Sequence, residues 1–543
     1  MNTQLKFQKA LDQVSEVANV LVGNAQQEFK DKAEAFVNEI QDSRYIKVPL
    51  VGVFSAGKSS LLNVFTQKPG MLPVDTDPET AVAYELYYGS QECVELYREN
   101  KKIDSKPLCD IKLLPTQPGD IAKVYCTSEP IKSLQERGII LVDMPGIGSG
   151  IERHDAAIFN YIHSGTAFLL LVDAEQGSLR GSTLAFMNEL SRYDKFPAVL
   201  VSKIDKKPEK DIRDIVEYIE YQLTSKLGNN HPFVSTVCSA NQDLSGLNKY
   251  FDQLDPDTLI NEKLGNHLKL IINSVRNQIK TRIDLRSKDI ANVDEKLKQI
   301  EEEIANVKAE LPTDGNDADT PEESANDVLE NVKAALEAQS YDIAQMIIDK
   351  QPEDSIKSFI VSIVRAEIIT SLKEESEQYS EALGQTVQES IQDIATIEVD
   401  SDFLGDFTDL YNAVYAYIES FLNAGGIWGI IAKYILPFLP QVLNWLFGKS
   451  EDEVLEEVRE KVLSKCVAPI TTGLKPTVLK LTIDNQKKIQ QKIQEELVAK
   501  MEMIKEGLRE KMADANKSKE TVQAELMLLN EALTKLNTVE ESI

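Results

Sequence analysis

The sequence has few cysteines, and they follow no recognisable pattern. Its 543 residues include five cysteines, which are widely scattered, and no two of them form a Cys-x-x-Cys motif. They are Cys93, Cys109, Cys126, Cys238 and Cys466. This arrangement argues against a disulfide framework or a thiolate zinc site and predicts reduced thiols. The first residues, MNTQLKFQKALDQ, lack the basic and apolar regions of a secretory signal, so we expect a cytoplasmic location.

Acidic residues outnumber basic ones. Asp and Glu number 88 against 59 Lys and Arg, which gives a formal net charge of −29 at pH 7. A surplus of this size disfavours broad electrostatic contact with a phosphate backbone, so we expect no nucleic acid partner. The length allows two to four domains.

Short apolar, β-branched runs alternate with helical stretches between about residues 45 and 255. Near-continuous apolar strands of this kind are typical of a mostly parallel sheet whose two faces are both covered. The runs are IKVPLVGVF, GIILVDMPG, AFLLLVDAE, AVLVSKID and FVSTVCSA. They predict an α/β domain over 45–255.

Helical periodicity dominates on both sides of that domain. The apolar spacing over 4–41 predicts one long amphipathic helix within an N-terminal unit, 1–44. From Ile290 to Leu311 apolar residues step by three and four, and similar stripes recur near the C-terminus. Such seams need partner helices, so 256–420 and 450–543 are expected to fold back on each other as an antiparallel bundle. An acidic, turn-rich stretch at about 312–327 predicts a mobile loop between helices.

A glycine-rich loop with phosphate-binding spacing opens the α/β domain. The segment GVFSAGKSS follows an apolar run and leads into LLNVF, so it has a strand before it and a helix after it. Backbone N–H groups in such a loop wrap phosphates at a helix N-terminus. The lysine would reach the β- and γ-phosphates, and the serine after it would bind Mg²⁺. The predicted nucleotide-binding residues here are Gly52, Ser55, Ala56, Gly57, Lys58, Ser59 and Ser60.

Two later motifs decide between ATP and GTP. In DMPG, Asp143 would hold Mg²⁺ through water and the Gly146 N–H would sense the γ-phosphate. In SKID, Asp205 would accept hydrogen bonds from the guanine edge, and Lys203 would lie along the base. The order of the three motifs predicts GTP and GDP as ligands. The CSA segment adds Ser239 and Ala240 as looser contacts to the base.

The stretch between the first two motifs is long enough for extra strands and a switch loop. Thr80 lies among turn residues and would close over Mg²⁺ and the γ-phosphate, with Thr76 as a rival and an ordinary turn as the alternative. Ile147 follows DMPG, and its side chain cannot position an attacking water. Hydrolysis is therefore expected to be slow unless a second copy of the domain contributes.

Together these motifs resemble the dynamin superfamily, and bacterial dynamin-like proteins in particular. The resemblance rests on VGVFSAGKSSLLN, on Pro78-Glu79-Thr80 after LP, on DMPG and on SKID, and it covers about 45–240. It implies a P-loop GTPase domain on an elongated all-helical stalk with a hydrophobic paddle, self-association through the GTPase domains, and membrane remodelling. It also implies a catalytic role for Ser55, Lys58 and Thr80, and Mg²⁺ ligation by Ser59, Thr80 and Asp143. The sequence departs from the family at Phe54, where eukaryotic dynamins have glutamine, and at Ser202, where Asn or Thr is usual.

Long apolar runs are rare, and one between residues 421 and 449 stands out. It contains both tryptophans, four glycines and two prolines, so it favours a short hairpin in one leaflet over a membrane span. The alternatives are a helix pair buried in the stalk and a surface covered by a partner protein. The candidate lipid-contacting residues are Ile427, Trp428, Ile431, Tyr434, Leu436, Phe438, Leu443, Trp445 and Phe447.

Three functions remain open at this level. The first is a dynamin-like GTPase that is peripherally bound to membranes. The second is a GTP-dependent switch whose apolar segment docks a partner, such as a paralogous subunit. The third is a coiled-coil ATPase, which Asp205 and the switch threonine disfavour.

Overall fold

A computed structural model describes most of the chain. The described residues are 3–52, 56–72, 82–98, 101–117, 119–146, 161, 165–179, 181–191, 196–229, 231–287, 292–309, 320–351, 353–395, 426–435 and 451–543. Within these ranges, no helix combines the length and the apolar character needed to cross a bilayer.

One nine-stranded sheet organises the α/β domain. Its strands are β1 (Ile46–Gly52), β2 (Ala83–Tyr88), β3 (Cys93–Arg98), β4 (Lys101–Pro107), β5 (Ile121–Cys126), β6 (Ile139–Asp143), β7 (Leu169–Asp173), β8 (Ala198–Ser202) and β9 (Val234–Thr236), in the spatial order β4-β3-β5-β2-β6-β1-β7-β8-β9. The central strands β6, β1, β7, β8 and β9 are parallel. The inserted strands make the sheet mixed, because β2 is antiparallel to β6, and β3 is antiparallel to β4 and β5.

Helices cover the sheet and continue beyond it. Those of the N-terminus and the sheet domain are α1 (Thr3–Ala18), α2 (Asn24–Asp42), α3 (Lys58–Thr66), α4 (Glu129–Glu136), α5 (Gly181–Ser191), α6 (Glu209–Leu227) and α7 (Ser245–Gln253). The later helices are α8 (Pro256–Ser287), α9 (Val293–Ala309), α10 (Pro321–Ala338), α11 (Ser340–Ile348), α12 (Glu353–Ala395), α13 (Gly426–Ile435), α14 (Glu451–Val462), α15 (Ala468–Asp514) and α16 (Lys519–Glu541). This arrangement confirms the predicted fold class, a GTPase-like α/β domain with a helical stalk.

Two helical layers form the stalk. In the first, α1, α2, α8 and α16 pack together and share a hydrophobic core with one face of the sheet. In the second, α10 to α15 enclose a separate core. Helix α15, with 47 residues and a length of about 70 Å at 1.5 Å per residue, contacts α8 in the first layer and α10 and α12 in the second, and it also contacts α9. The predicted pairing of the heptad seam with a C-terminal helix is therefore confirmed. Helix α12 also packs against α5 of the sheet domain.

Two predicted boundaries were wrong. The single helix expected over 4–41 is two helices, because the chain turns after Ala18 and Gly23 adopts a left-handed φ of 60°. The acidic loop expected over 312–327 ends earlier, because α10 begins at Pro321. There Thr320 and Glu323 form a reciprocal capping box, in which each side chain accepts a hydrogen bond from the other's backbone N–H.

Candidate functional site

The glycine-rich loop that is predicted to bind phosphate lies between the carboxyl end of β1 and α3. Gly57 precedes α3 with a left-handed φ of 88°, and its carbonyl accepts the Leu61 N–H at 2.9 Å. A Cβ atom added to Gly146 of DMPG would lie 3.5 Å from the carbonyl oxygen of Gly52. The second motif therefore packs directly against the start of the loop. Ser55 lies outside the described residues.

Lys58 and Asp143 form an ion pair at the centre of this site. Lys58 is the first residue of α3, and Asp143 is the last residue of β6, paired in register with Leu50 of β1. Their side chains are only about one-tenth exposed, at 10% and 9%. The sequence motifs lie 85 positions apart, and the sheet brings their charged groups into contact.

Ser59 and Asp143, the two described residues that are predicted to bind Mg²⁺, both flank Lys58. Ser59, half-buried, follows Lys58, and the Asp143 carboxylate is adjacent. Among the described residues, no group of three His, Cys, Asp or Glu side chains is arranged to hold a metal ion by itself. A hydroxyl and one carboxylate suit Mg²⁺, which commonly takes one or two protein ligands and completes its shell with phosphates and water. Thr80 lies outside the described residues, as does its rival Thr76.

Ser202 ties the guanine motif to the phosphate loop. Its hydroxyl lies 2.6 Å from the Ala56 carbonyl oxygen and 2.9 Å from that of Val172, and both oxygens are positioned to accept its proton. The residue is buried at the end of β8. Although Asn or Thr is usual at this position, the serine hydroxyl therefore still links β7, β8 and the loop.

Asp205 lies in a short 3-10 turn, Ile204–Lys206, directly after β8. Its carboxylate is exposed and accepts the thiol proton of buried Cys238 at an Sγ–Oδ1 distance of 3.3 Å. Cys238 in turn exchanges both backbone hydrogen bonds with Asp243, which fixes the turn that carries Ser239 and Ala240. The sequence singled out Ser239 and Ala240 and missed the contact made by Cys238. The only signal was its position at the end of a short apolar run.

A buried carboxylate connects the strands beside the site. Glu85 of β2 is fully buried and accepts hydrogen bonds from Lys47 Nζ at 2.6 Å, Tyr161 OH at 2.7 Å and Tyr87 OH at 2.9 Å. Burial acts to raise the pKa of Glu85, but the Lys47 charge and the three hydrogen bonds outweigh it and hold that pKa below its ordinary value. Burial, together with the same carboxylate, raises the pKa of Tyr161 well above normal. Glu85 is therefore ionised at neutral pH.

Replacing Glu85 with glutamine should destabilise the sheet domain by about 3 kcal/mol at pH 7, because Lys47 loses a buried counterion. Since the folded pKa of Glu85 is lowered, its contribution is complete above the ordinary carboxyl value of about 4.3. The contribution then disappears as the pH falls through the lower folded value. Calorimetric unfolding at several pH values would measure the difference from wild type.

Glu92→Gln is the matched control for that experiment. Glu92 also accepts hydrogen bonds from a lysine and a hydroxyl group, Lys68 at 2.8 Å and Thr127 at 2.7 Å. These contacts, the one from Lys68 first, lower the pKa of Glu92 to about 2. The pair is 37% and 40% exposed, so its loss should cost about 0.5 kcal/mol or less. Equal losses for Glu85→Gln and Glu92→Gln would contradict the importance of the buried network.

Part of the apolar segment is a helix docked on the stalk. Helix α13 contacts α12 and α15, and its Ile431 is fully buried in the stalk core. Gly473 of α15 is the point at which α13 packs most closely. A Cβ atom there would lie 2.7 Å from Tyr434 Cε2 and 3.1 Å from Ile430 Cγ2. In this conformation Ile431 does not reach the surface, contrary to its expected contact with lipid. Tyr434 is only half-buried.

Two of the other candidate lipid contacts belong to α13. Ile427 and Trp428 belong to α13 by their backbone. The remaining candidates lie outside the described residues: Leu436, Phe438, Leu443, Trp445 and Phe447.

A known protein family matches the part of the chain that carries this site. Residues 48–204 match the family model described as the Dynamin family. No curated protein matches the chain. Among solved structures, the chain is similar to two structures of an oligomerised bacterial dynamin pair. That pair is described as providing a mechanism for the long-range sensing and tethering of membranes. The first shows 14% identity and a TM-score of 0.33, covering 88% of this chain and 92% of that one. The second shows 15% identity and a TM-score of 0.32, covering 94% and 91%.

A smaller part of the chain is similar to another solved protein, Era of Aquifex aeolicus bound to GDP·AlF4⁻. The identity is 14%, the TM-score is 0.23, and the match covers 45% of this chain and 68% of that one. The family match spans the phosphate loop, the Lys58–Asp143 pair and the start of the guanine motif. The chain is a GTPase whose residues 48–204 match the Dynamin family model.

Proposed function

We propose that this chain binds GTP with Mg²⁺ at the described sheet edge and uses hydrolysis to control self-association and membrane attachment. The observation that carries the proposal is the convergence of Lys58, Asp143 and Asp205 at the carboxyl ends of parallel strands. Ligands of α/β proteins bind at this edge.

The proposed roles follow from the chemistry of each group. Lys58 would bind the β- and γ-phosphates, while Ser59 and Asp143 would hold Mg²⁺, which neutralises phosphate charge when bound. Asp205 would accept hydrogen bonds from guanine. The catalytic roles of Ser55 and Thr80 are proposed from the family resemblance alone.

Self-association through the GTPase domains is proposed because the second motif is not followed by a side chain that could position the attacking water. Gly146 is followed by Ile147, whose aliphatic side chain offers neither a hydrogen-bond donor nor an acceptor. A second domain that contributed a polar group would supply the missing function.

Membrane attachment is proposed through the apolar segment that contains α13. A protein with a net charge of −29 gains little from anionic lipid, so insertion would be mainly hydrophobic. Because Ile431 is buried and Tyr434 packs on Gly473, α13 would have to dissociate from α15 before it could contact lipid. Attachment would then depend on an equilibrium between docked and released α13.

Gly473→Val should shift that equilibrium towards release. The added side chain would occupy space filled by Tyr434 and Ile430, and overpacking of this kind costs about 1–3 kcal/mol. Such a cost favours the released helix by about 5- to 150-fold. Flotation with zwitterionic phosphatidylcholine vesicles should therefore recover more of the variant than of the wild type.

The matched control is Thr472→Val, which places valine at the adjacent, exposed position of α15. It should float like the wild type, while Trp428→Asp/Trp445→Asp in the Gly473→Val background should abolish flotation. Absence of flotation for Gly473→Val in every nucleotide state would contradict membrane attachment. A stable complex with a second protein that requires the released segment would then favour the partner-docking alternative.

A further inference from the structure

The guanine-motif lysine has an unusual backbone conformation. Lys203 has a φ of 55°, in the left-handed region that residues other than glycine rarely adopt. Its side chain runs close to the phosphate loop. A Cβ atom added to Gly57 would lie 4.0 Å from Lys203 Cε, so the methylene chain is within van der Waals reach of the loop.

The ammonium group of Lys203 ends on a carboxylate from the neighbouring strand. Its Nζ lies 2.6 Å from Asp173 Oδ2. Asp173 is the last residue of β7 and pairs in register with Ser202 of β8. The Asp173 side chain is 10% exposed and that of Lys203 is 28% exposed, so this charge-assisted hydrogen bond is largely shielded from water.

Asp173 is itself held in place. Its Oδ1 accepts the backbone N–H of Glu175 at 2.8 Å and so caps the 3-10 turn Ala174–Gln176. One oxygen is fixed by the backbone and the other holds the lysine. The direction of the Lys203 side chain is therefore set by the end of β7 and not by its own loop.

We propose that Asp173 is a positioning residue for guanine binding, which orders Lys203 so that its methylene chain lies along the base. This inference rests on the proposed guanine site. A free lysine side chain samples many rotamers, and the nucleotide would have to order them on binding. Anchoring the ammonium group beforehand removes that cost from the binding step. It also balances the lysine charge where an aliphatic surface must face a purine.

A neighbouring ion pair supplies a matched control. Glu175 and Lys206 join the same two turns at 2.8 Å, but their side chains are 48% and 47% exposed. An exposed pair of this kind contributes little. Glu175→Gln removes a carboxylate charge two residues from Asp173 without touching Lys203.

The test compares GDP binding by fluorescence titration with a labelled GDP. Asp173→Asn keeps an oxygen for the Glu175 N–H and loses the charge that holds Lys203. We expect its dissociation constant to rise about tenfold, with a similar rise for Lys203→Met. In the double variant, Asp173→Asn should add less than about twofold to the loss from Lys203→Met alone, because both changes remove one interaction. Glu175→Gln should stay within about twofold of wild type.

Two results would overturn the inference. Asp173→Asn could bind GDP like Glu175→Gln, or it could cost another tenfold in the Lys203→Met background, which would mean that it acts independently of Lys203. Thermal unfolding without nucleotide checks that each variant is folded. If the wild type does not prefer GDP to ADP, the proposed guanine site itself fails. If that preference is present and Asp173→Asn has no effect, only the positioning role fails.

Discussion

Replacing Lys58 with alanine is expected to lower the rate of GTP hydrolysis by at least about 100-fold. The ammonium group lies at the N-terminus of α3, beside Asp143 and only 10% exposed, where its charge is poorly screened by water. Phosphoryl transfer depends almost entirely on positioning and charge stabilisation, so alanine would remove the cation that we propose binds the phosphates. Phosphate release at a GTP concentration that saturates the wild type measures the effect.

Lys68→Ala is the control for this substitution. Lys68 follows the end of α3 and pairs with exposed Glu92, away from the phosphate loop. Its loss should leave hydrolysis unchanged. The Lys58 variant should also fail to gain thermal stability from excess GTP, because a ligand stabilises only a protein that binds it. A folded Lys58→Ala variant with near wild-type hydrolysis would show that the reaction does not occur at this loop.

The motifs were predictable because each one is local. A strand, a glycine-rich turn and a helix place Lys58 and Ser59 whatever the rest of the chain does. The strand ends at Asp143 and Ser202 were equally clear, because buried parallel strands are recognisable as apolar runs. The sequence also indicated that strands were inserted between the first two motifs, as β2 to β5 confirm.

Contacts between strand ends were not predictable in the same way. Asp173 and Lys203 are 30 positions apart, and only the adjacency of β7 and β8 brings them together. The same is true of Cys238 and Asp205, which meet because β9 lies beside β8. Ser202 looked like a weakened motif, whereas its hydroxyl reaches two carbonyl oxygens that a reader of the sequence cannot locate.

The helical errors have a different cause. A single helix over 4–41 fits the local periodicity, but Phe29 and Phe36 must reach the core shared with α8, and the turn at Gly23 allows this. Tertiary packing overrides helix propensity in such cases. The start of α10 was readable, since Thr320 and Glu323 have the spacing of a capping box, but the acidic composition suggested a loop.

Replacing Asp205 with asparagine is expected to change the preferred base from guanine to xanthine. The wild-type carboxylate would accept hydrogen bonds from the guanine N1–H and its 2-amino group, and a carboxamide cannot accept both. A site whose polar groups are left unpaired rejects a ligand strongly, so kcat/KM for GTP should fall by about 100-fold or more. Xanthosine triphosphate carries a carbonyl in place of the 2-amino group and should become the better substrate.

The matched control is Asp214→Asn, an exposed acidic residue of α6 that loses the same charge. It should leave the preference for GTP over xanthosine triphosphate unchanged. Competition between the two nucleotides in a single hydrolysis assay measures the ratio directly. If Asp205→Asn still prefers GTP by the wild-type factor, Asp205 does not contact the edge of the base.

The hydrogen bond from Cys238 explains why the Asp205→Asn variant should favour xanthine in particular. The Cys238 thiol donates to the Asp205 carboxylate at 3.3 Å from a buried position. In the asparagine variant only the amide oxygen can accept that proton, which turns the amide N–H₂ towards the base. The N–H₂ group then faces the carbonyl that xanthine has and guanine lacks. Adding Cys238→Ala should remove this bias, so the double variant is expected to discriminate less between the two bases than Asp205→Asn alone.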